Sequence, residues 1–185
     1  NHDGVINASD KVDLGNGLPK YTFGFNFSLA WKGFDLSANF TGAAGFQIAQ
    51  SYRDPSSSQA NYSRRILKRW TGEGTSNEIP RVTYGDVGNW LFSDLYLQDG
   101  DYIRLQNLTM GYDFKKLISW KGLSKMRLYF QVQNLFTLTK YDGMDPEIGS
   151  FNGTDGNSSD SWVSGVDMGY YPHPRTFIVG LNLAF

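Results

Sequence analysis

The first ten residues carry oxygen-bearing side chains at the spacing of a cation loop. Asn1, Asp3, Gly4, Val5 and Asp10 fit the third, fifth, sixth, seventh and twelfth places of the pattern D-x-[DN]-x-[DN]-G-x₅-[ED]. A hard cation such as calcium takes roughly six to eight oxygens. Asn1 and Asp3 would give side-chain oxygens, Val5 its carbonyl and Asp10 a carboxylate, with Gly4 at the sharp turn. The first ligand of the pattern would lie before Asn1, so the motif predicts calcium and a chain that extends upstream. Without an ion the same residues would form an Asx and glycine turn.

Other chemistry is sparse. His2 and His173 are the only histidines, and there is no cysteine, which excludes disulfides and thiolate centres and argues against a two-histidine zinc site. No G-x-S-x-G, H-E-x-x-H or P-loop is present. Asp142, Asp145 and Glu147 are close enough in sequence to act as an acid–base pair, but solvated loop carboxylates are commoner, and no enzyme is expected. Arg64, Arg65, Lys68 and Arg69 could grip an anion or line the wet face of a helical turn over 62–70. A net charge of −1 and no basic segment interleaved with aromatics give no reason to expect nucleic acid.

The elements that would position such residues are strands. From 21 to 31, Tyr21, Phe23, Phe25, Phe27, Leu29 and Trp31 alternate with Thr22, Gly24, Asn26, Ser28 and Ala30. Lys32-Gly33 reads as a two-residue turn, after which Phe34, Leu36, Ala38 and Phe40 continue the oily face. Eleven residues tilted by about 45° climb roughly 26 Å, the height of an outer-membrane apolar band. A third strand is expected over 101–114. Ile103 and Leu105 there have the opposite parity to Leu108, Met110 and Tyr112, which calls for a bulge or a packed inner face. A fourth runs over 126–139, interrupted at Asn134-Leu135-Phe136. The last, 175–185, presents Phe177, Val179, Leu181, Leu183 and Phe185 on one face.

Connections run short, long, short, long, the alternation of periplasmic turns and extracellular loops in bacterial barrels. Residues 1–20 and the stretches 45–100 and 141–174 then lie outside, and residues 21–185 supply barrel strands with those two long loops. No run approaches the ~18 apolar residues of a transmembrane helix. Five strands cannot close alone, because an open edge cannot sit in hydrocarbon. The expectation is an all-β, antiparallel transmembrane barrel segment belonging to a longer polypeptide. A soluble calcium-stabilised all-β binding module and a passive or adhesin barrel are the alternatives.

Five segments resemble the C-terminal part of SusC/RagA-like TonB-dependent transporters: 1–15 (NHDGVINASDKVDLG), 19–35 (PKYTFGFNFSLAWKGFD), 102–112 (YIRLQNLTMGY), 127–145 (RLYFQVQNLFTLTKYDGMD) and 171–185 (YPHPRTFIVGLNLAF). The 45–100 loop matches least. The resemblance implies about 22 strands around an N-terminal plug, energised through TonB, in the outer membrane of a Bacteroidetes-type Gram-negative bacterium. It implies as partners the rest of the transporter chain, the TonB complex reached through the plug-bearing part, and an extracellular SusD-like lipoprotein lid, with glycan or peptide as cargo. The alternating face from Phe177 to Phe185 resembles the signal read by the barrel-assembly machinery. Trp90, Trp162, Tyr170 and Tyr171 are candidate stacking surfaces for cargo, or anchors that pack the loops.

Overall fold

A computed structural model describes residues 4, 7–51, 62, 64–82, 92–118, 120–148 and 165–185. Five long antiparallel strands form one sheet in the order β1-β2-β5-β6-β8. They are β1 Tyr21–Trp31, β2 Phe34–Ala44, β5 Tyr102–Asp113, β6 Lys125–Thr139 and β8 Thr176–Ala184. The expected strand ends agree to within three residues. Three short strands, β3 Gln47–Gln50, β4 Leu97–Asp99 and β7 Val166–Asp167, make a second sheet in the order β4-β3-β7.

Register keeps every strand's oily side on one surface. One row runs Phe27, Ala38, Leu108, Val132, Phe177, and the next runs Leu29, Leu36, Met110, Phe130, Val179. Their opposite neighbours form rows such as Asn26, Asn39, Asn107, Gln133, Thr176. Phe23, Phe25, Phe27, Phe177, Val179, Leu181 and Leu183 are all exposed on this one apolar surface of the sheet.

The parity switch in β5 has a structural cause. The β2 and β6 registers both slip there, so that Leu105 faces Phe40 and Phe136 while Asn107 faces Asn39 and Gln133. Gln106 is the extra residue on β5, and Asn134 and Leu135 take up the slack on β6, Asn134 in the left-handed region (φ 52°). The bulge returns Ile103 and Leu105 to the face of Leu108 and Met110.

At one end, Lys32 (φ 47°) and Gly33 (φ 94°) make the tight turn that joins β1 to β2. A 3₁₀ turn at Phe114–Lys116 begins the β5–β6 connection at that same end. The opposite end carries both long connections and the second sheet. The loop from 45 to 101 holds β3, β4 and a 3₁₀ turn at Arg64–Lys68 within the expected 62–70 turn. The protein's one compact apolar cluster among the described residues lies here: Ala43, Phe46, Ile48 and Tyr141, flanked by Tyr102 and Ile148.

Candidate functional site

The wall and the loop end are built by different chemistry. On the polar face of the wall, Asp35 and Arg127 pair across β5, with Arg127 Nε donating to Asp35 Oδ1 at 2.7 Å and Nη2 to Oδ2 at 2.6 Å. The bridge passes over Gly111, where a Cβ would come within 2.6 Å of the Arg127 Cζ. Tyr129 lies across Gly180 in the same way, and the Arg127 guanidinium sits 5.0 Å from the Tyr129 ring. Two glycines therefore let long side chains lie flat against the wall instead of projecting into the lumen.

The loop end is a platform stapled from distant parts of the chain. Strand β3 pairs antiparallel with β4 and parallel with β7, which joins the two long connections into one sheet. The segment before β1 docks there too, as the Gln47 amide donates to the Asn16 carbonyl at 2.9 Å and Gly165 packs on the Gly17 backbone. Buried Asp167 fixes the exit from β7. It accepts from the Tyr141 hydroxyl and from the amides of Gly169 and Tyr170 at 2.8 and 3.0 Å. Asp142 accepts from the side-chain amides of Gln50 and Gln98, tying the 140s loop to β3 and β4.

Beneath this lies a charged clasp. Arg104, only 2% exposed, projects from β5. Its Nε donates to Thr137 Oγ1 at 2.9 Å, its Nη1 to Glu147 Oε2 at 2.7 Å and its Nη2 to Asp145 Oδ1. Asp145, 5% exposed, also accepts from the backbone amides of Glu147 at 2.9 Å and His173 at 3.1 Å. The His173 Nδ1 lies 3.2 Å from both Arg104 Nη1 and Asp145 Oδ2. Burial by itself would raise the Asp145 carboxyl. The two backbone amides, the Arg104 charge and His173 together outweigh it and hold the group below the usual carboxylate range.

Of the acidic trio, Asp145 is buried, whereas Asp142 and the Glu147 side chain stay partly in solvent. Each carboxylate is committed to positioning a loop. Asn1, Asp3 and Val5 lie outside the described residues. Asp10, the fourth proposed calcium ligand, accepts from the Asn7 amide at 2.9 Å. Among the described residues, no group of three or more acidic or histidine side chains is arranged to hold a metal. Trp90 and Trp162 also fall outside the described residues. Tyr170 and Tyr171 are exposed at the loop end just after Asp167, Tyr171 at 82%. Phe177, Val179, Leu181 and Leu183 share the apolar face of β8, an edge strand, and Phe185 beyond it is 84% exposed.

Arg104 and Asp167 were not singled out by sequence reasoning. The signal for Arg104 was available: a charge flanked by Ile103 and Leu105 within a strand must be paired or face a lumen. Asp167 had no such signal, since its loop reads as uniformly polar.

Known proteins are similar to this chain in sequence and in fold. No protein-family profile matches the chain. Over 185 residues it is 35% identical to "TonB-dependent receptor P3" of Formosa agariphila, covering 99% of this chain and 18% of that protein. It is 29% identical over 189 residues to "TonB-dependent receptor SusC" of Bacteroides thetaiotaomicron, covering 100% of this chain and 17% of that one. The chain therefore spans less than a fifth of the length of these relatives. Among solved structures, the RagAB peptide transporter superposes with a TM-score of 0.66 at 25% identity, over 88% of this chain and 17% of its counterpart. The RagAB peptide importer in its "closed-closed" state gives 0.69 at 22% identity, over 99% and 20%, a likeness of fold. Over the length it spans, this chain is similar to SusC-like TonB-dependent receptors, and its five long strands have the fold of a segment of a transmembrane β-barrel wall.

Proposed function

We propose that this segment forms wall and outer-loop platform in an outer-membrane transporter that imports glycans or peptides through TonB, together with a SusD-like surface lipoprotein. The observation that carries the reading is the division of labour in the fold. One face of the sheet is suited to lipid and the other is polar, while the long connections are held at a single end as a shaped surface. Its relatives are receptors, so the chain's part is to bind and guide cargo and not to transform it. Cargo rests between the platform and the lid, and passes along the polar face once the plug yields.

In this reading the platform end is extracellular and the Lys32-Gly33 end periplasmic. The apolar face from Phe177 to Phe185 is what the assembly machinery engages, because an unpaired edge strand has to be held before it enters hydrocarbon. Asn1, Asp3, Val5 and Asp10 would hold calcium and steady the segment that docks on β3. In the full-length protein, calcium removal should raise protease cleavage near residues 1–20 while leaving the barrel intact. The transport reading is tested by uptake of labelled oligosaccharide and peptide pools in cells with and without TonB. Uptake of one pool should need both TonB and this receptor. TonB-independent uptake of every pool would sink it.

A further inference from the structure

We propose that the loop of residues 70–81 is a subsite for a neutral pyranose ring. The proposal rests on the import reading and narrows it to glycan at this place. A shallow depression of about 470 Å³, largely open to solvent, lies there, lined among others by Trp70, Asn77, Glu78, Ile79, Pro80 and Arg81. That volume is at the size of small-ligand clefts, roughly 300–1,000 Å³.

Its lining has the two halves that a sugar needs. Trp70 is 40% exposed and forms part of the wall, so a flat apolar ring meets water beside the depression. The C–H face of a pyranose stacks on such a surface. Asn77, Glu78 and Arg81 supply a carboxamide, a carboxylate and a guanidinium, donors and acceptors for vicinal hydroxyls. Glu78 and Arg81 bring one charge of each sign, so the lining favours neither an acidic nor a basic sugar over a neutral one.

The loop is also built before any ligand arrives. The Trp70 amide donates to the Ile79 carbonyl at 2.8 Å, closing the loop at its neck. Thr75 Oγ1 accepts from the amides of Thr71 and Gly72 at 2.9 and 3.1 Å. Ser76 Oγ accepts from Glu78 and Ile79 at 3.3 and 3.1 Å. Ile79 is buried and anchors the base. Little ordering is left for binding to oppose. The same bonds argue against a peptide, which commonly binds by adding a strand to free backbone groups. Here the amides of Thr71, Gly72, Glu78 and Ile79 are already turned inward to Ser and Thr hydroxyls.

The test uses the full-length transporter, purified in detergent and shown by heat-modifiable migration to be folded. Calorimetric titrations would use maltohexaose, cellohexaose, xylohexaose, mannohexaose and a mixture of uncharged hexapeptides. At least one hexasaccharide should bind. Trp70→Ala should weaken it by about tenfold or more and Trp70→Phe by much less, since the stacking face is kept. Glu78→Gln and Asn77→Ala, both at exposed positions, should weaken it without disturbing folding. The proposal is overturned if no hexasaccharide binds, if binding ignores Trp70→Ala or both polar variants, or if Trp70→Ala abolishes peptide binding instead. Unchanged TonB-dependent uptake by Trp70→Ala would remove the subsite and leave the transporter standing. Loss of TonB dependence in the unmutated protein would remove the transporter.

Discussion

Arg104 shows how much one side chain can hold. Its guanidinium joins β5, β6 through Thr137, the 140s loop through Asp145 and Glu147, and the segment before β8 through His173. Removing it leaves a buried carboxylate without its cation, a defect that costs about 3–5 kcal/mol in comparable pairs. Arg104→Ala should therefore loosen the platform while the wall persists, seen as faster proteolysis around 140–148 with unchanged heat-modifiability. Acid should do the same. The Asp145 carboxyl is held below its usual value, so its contribution is present above an unfolded pKa of about 3.9 and is lost as pH falls through the lower folded value. Protease protection of this loop should be flat from neutral pH to about 4 and collapse below, and Asp145→Asn should abolish that step. A protection curve identical in the variant would assign the acid step to other groups. The sequence offered the acidic residues but not their partners. A carboxylate in a loop looks the same whether water or a buried arginine neutralises it.

Among the strands, the informative element is β5. Gln106 lies outside the pairing on both sides, and its presence keeps Ile103 and Leu105 on the oily face while Arg104 points to the clasp. Deleting Gln106 would slip one half of the strand by a residue, sending Arg104 toward lipid or Asn107 and Thr109 with it. Assembled, surface-exposed protein should fall steeply for this deletion and hardly at all for Gln106→Ala. Equal levels would show that the bulge is tolerated slack. The long strands were legible because runs of about eight or more alternating residues leave no doubt about period, and the parity break at Ile103 announced the bulge. β3, β4 and β7 were not legible. Strands of four, three and two residues hold too few alternations to register, and their existence depends on partners far away in the chain.

For the whole molecule, the surface must be read with lipid as solvent. Phe25 and Asn26 are neighbours near the middle of β1 on opposite faces. Phe25→Arg puts a charge in hydrocarbon, at roughly 2–4 kcal/mol near the midplane, whereas Asn26→Arg faces the polar side. Outer-membrane levels of the full-length protein should drop for the first and hold for the second, and the reverse order would invert the assignment of faces. The parallel pairing of β3 with β7 adds a matter of timing. Ala49 meets Val166 only after more than a hundred intervening residues have been placed, among them β5 and β6. Joining such remote segments is slow and comes late. The platform can finish only when the hairpins beneath it stand in the right order, so its completion records a correct history, and a wall threaded out of order would leave it without a foundation.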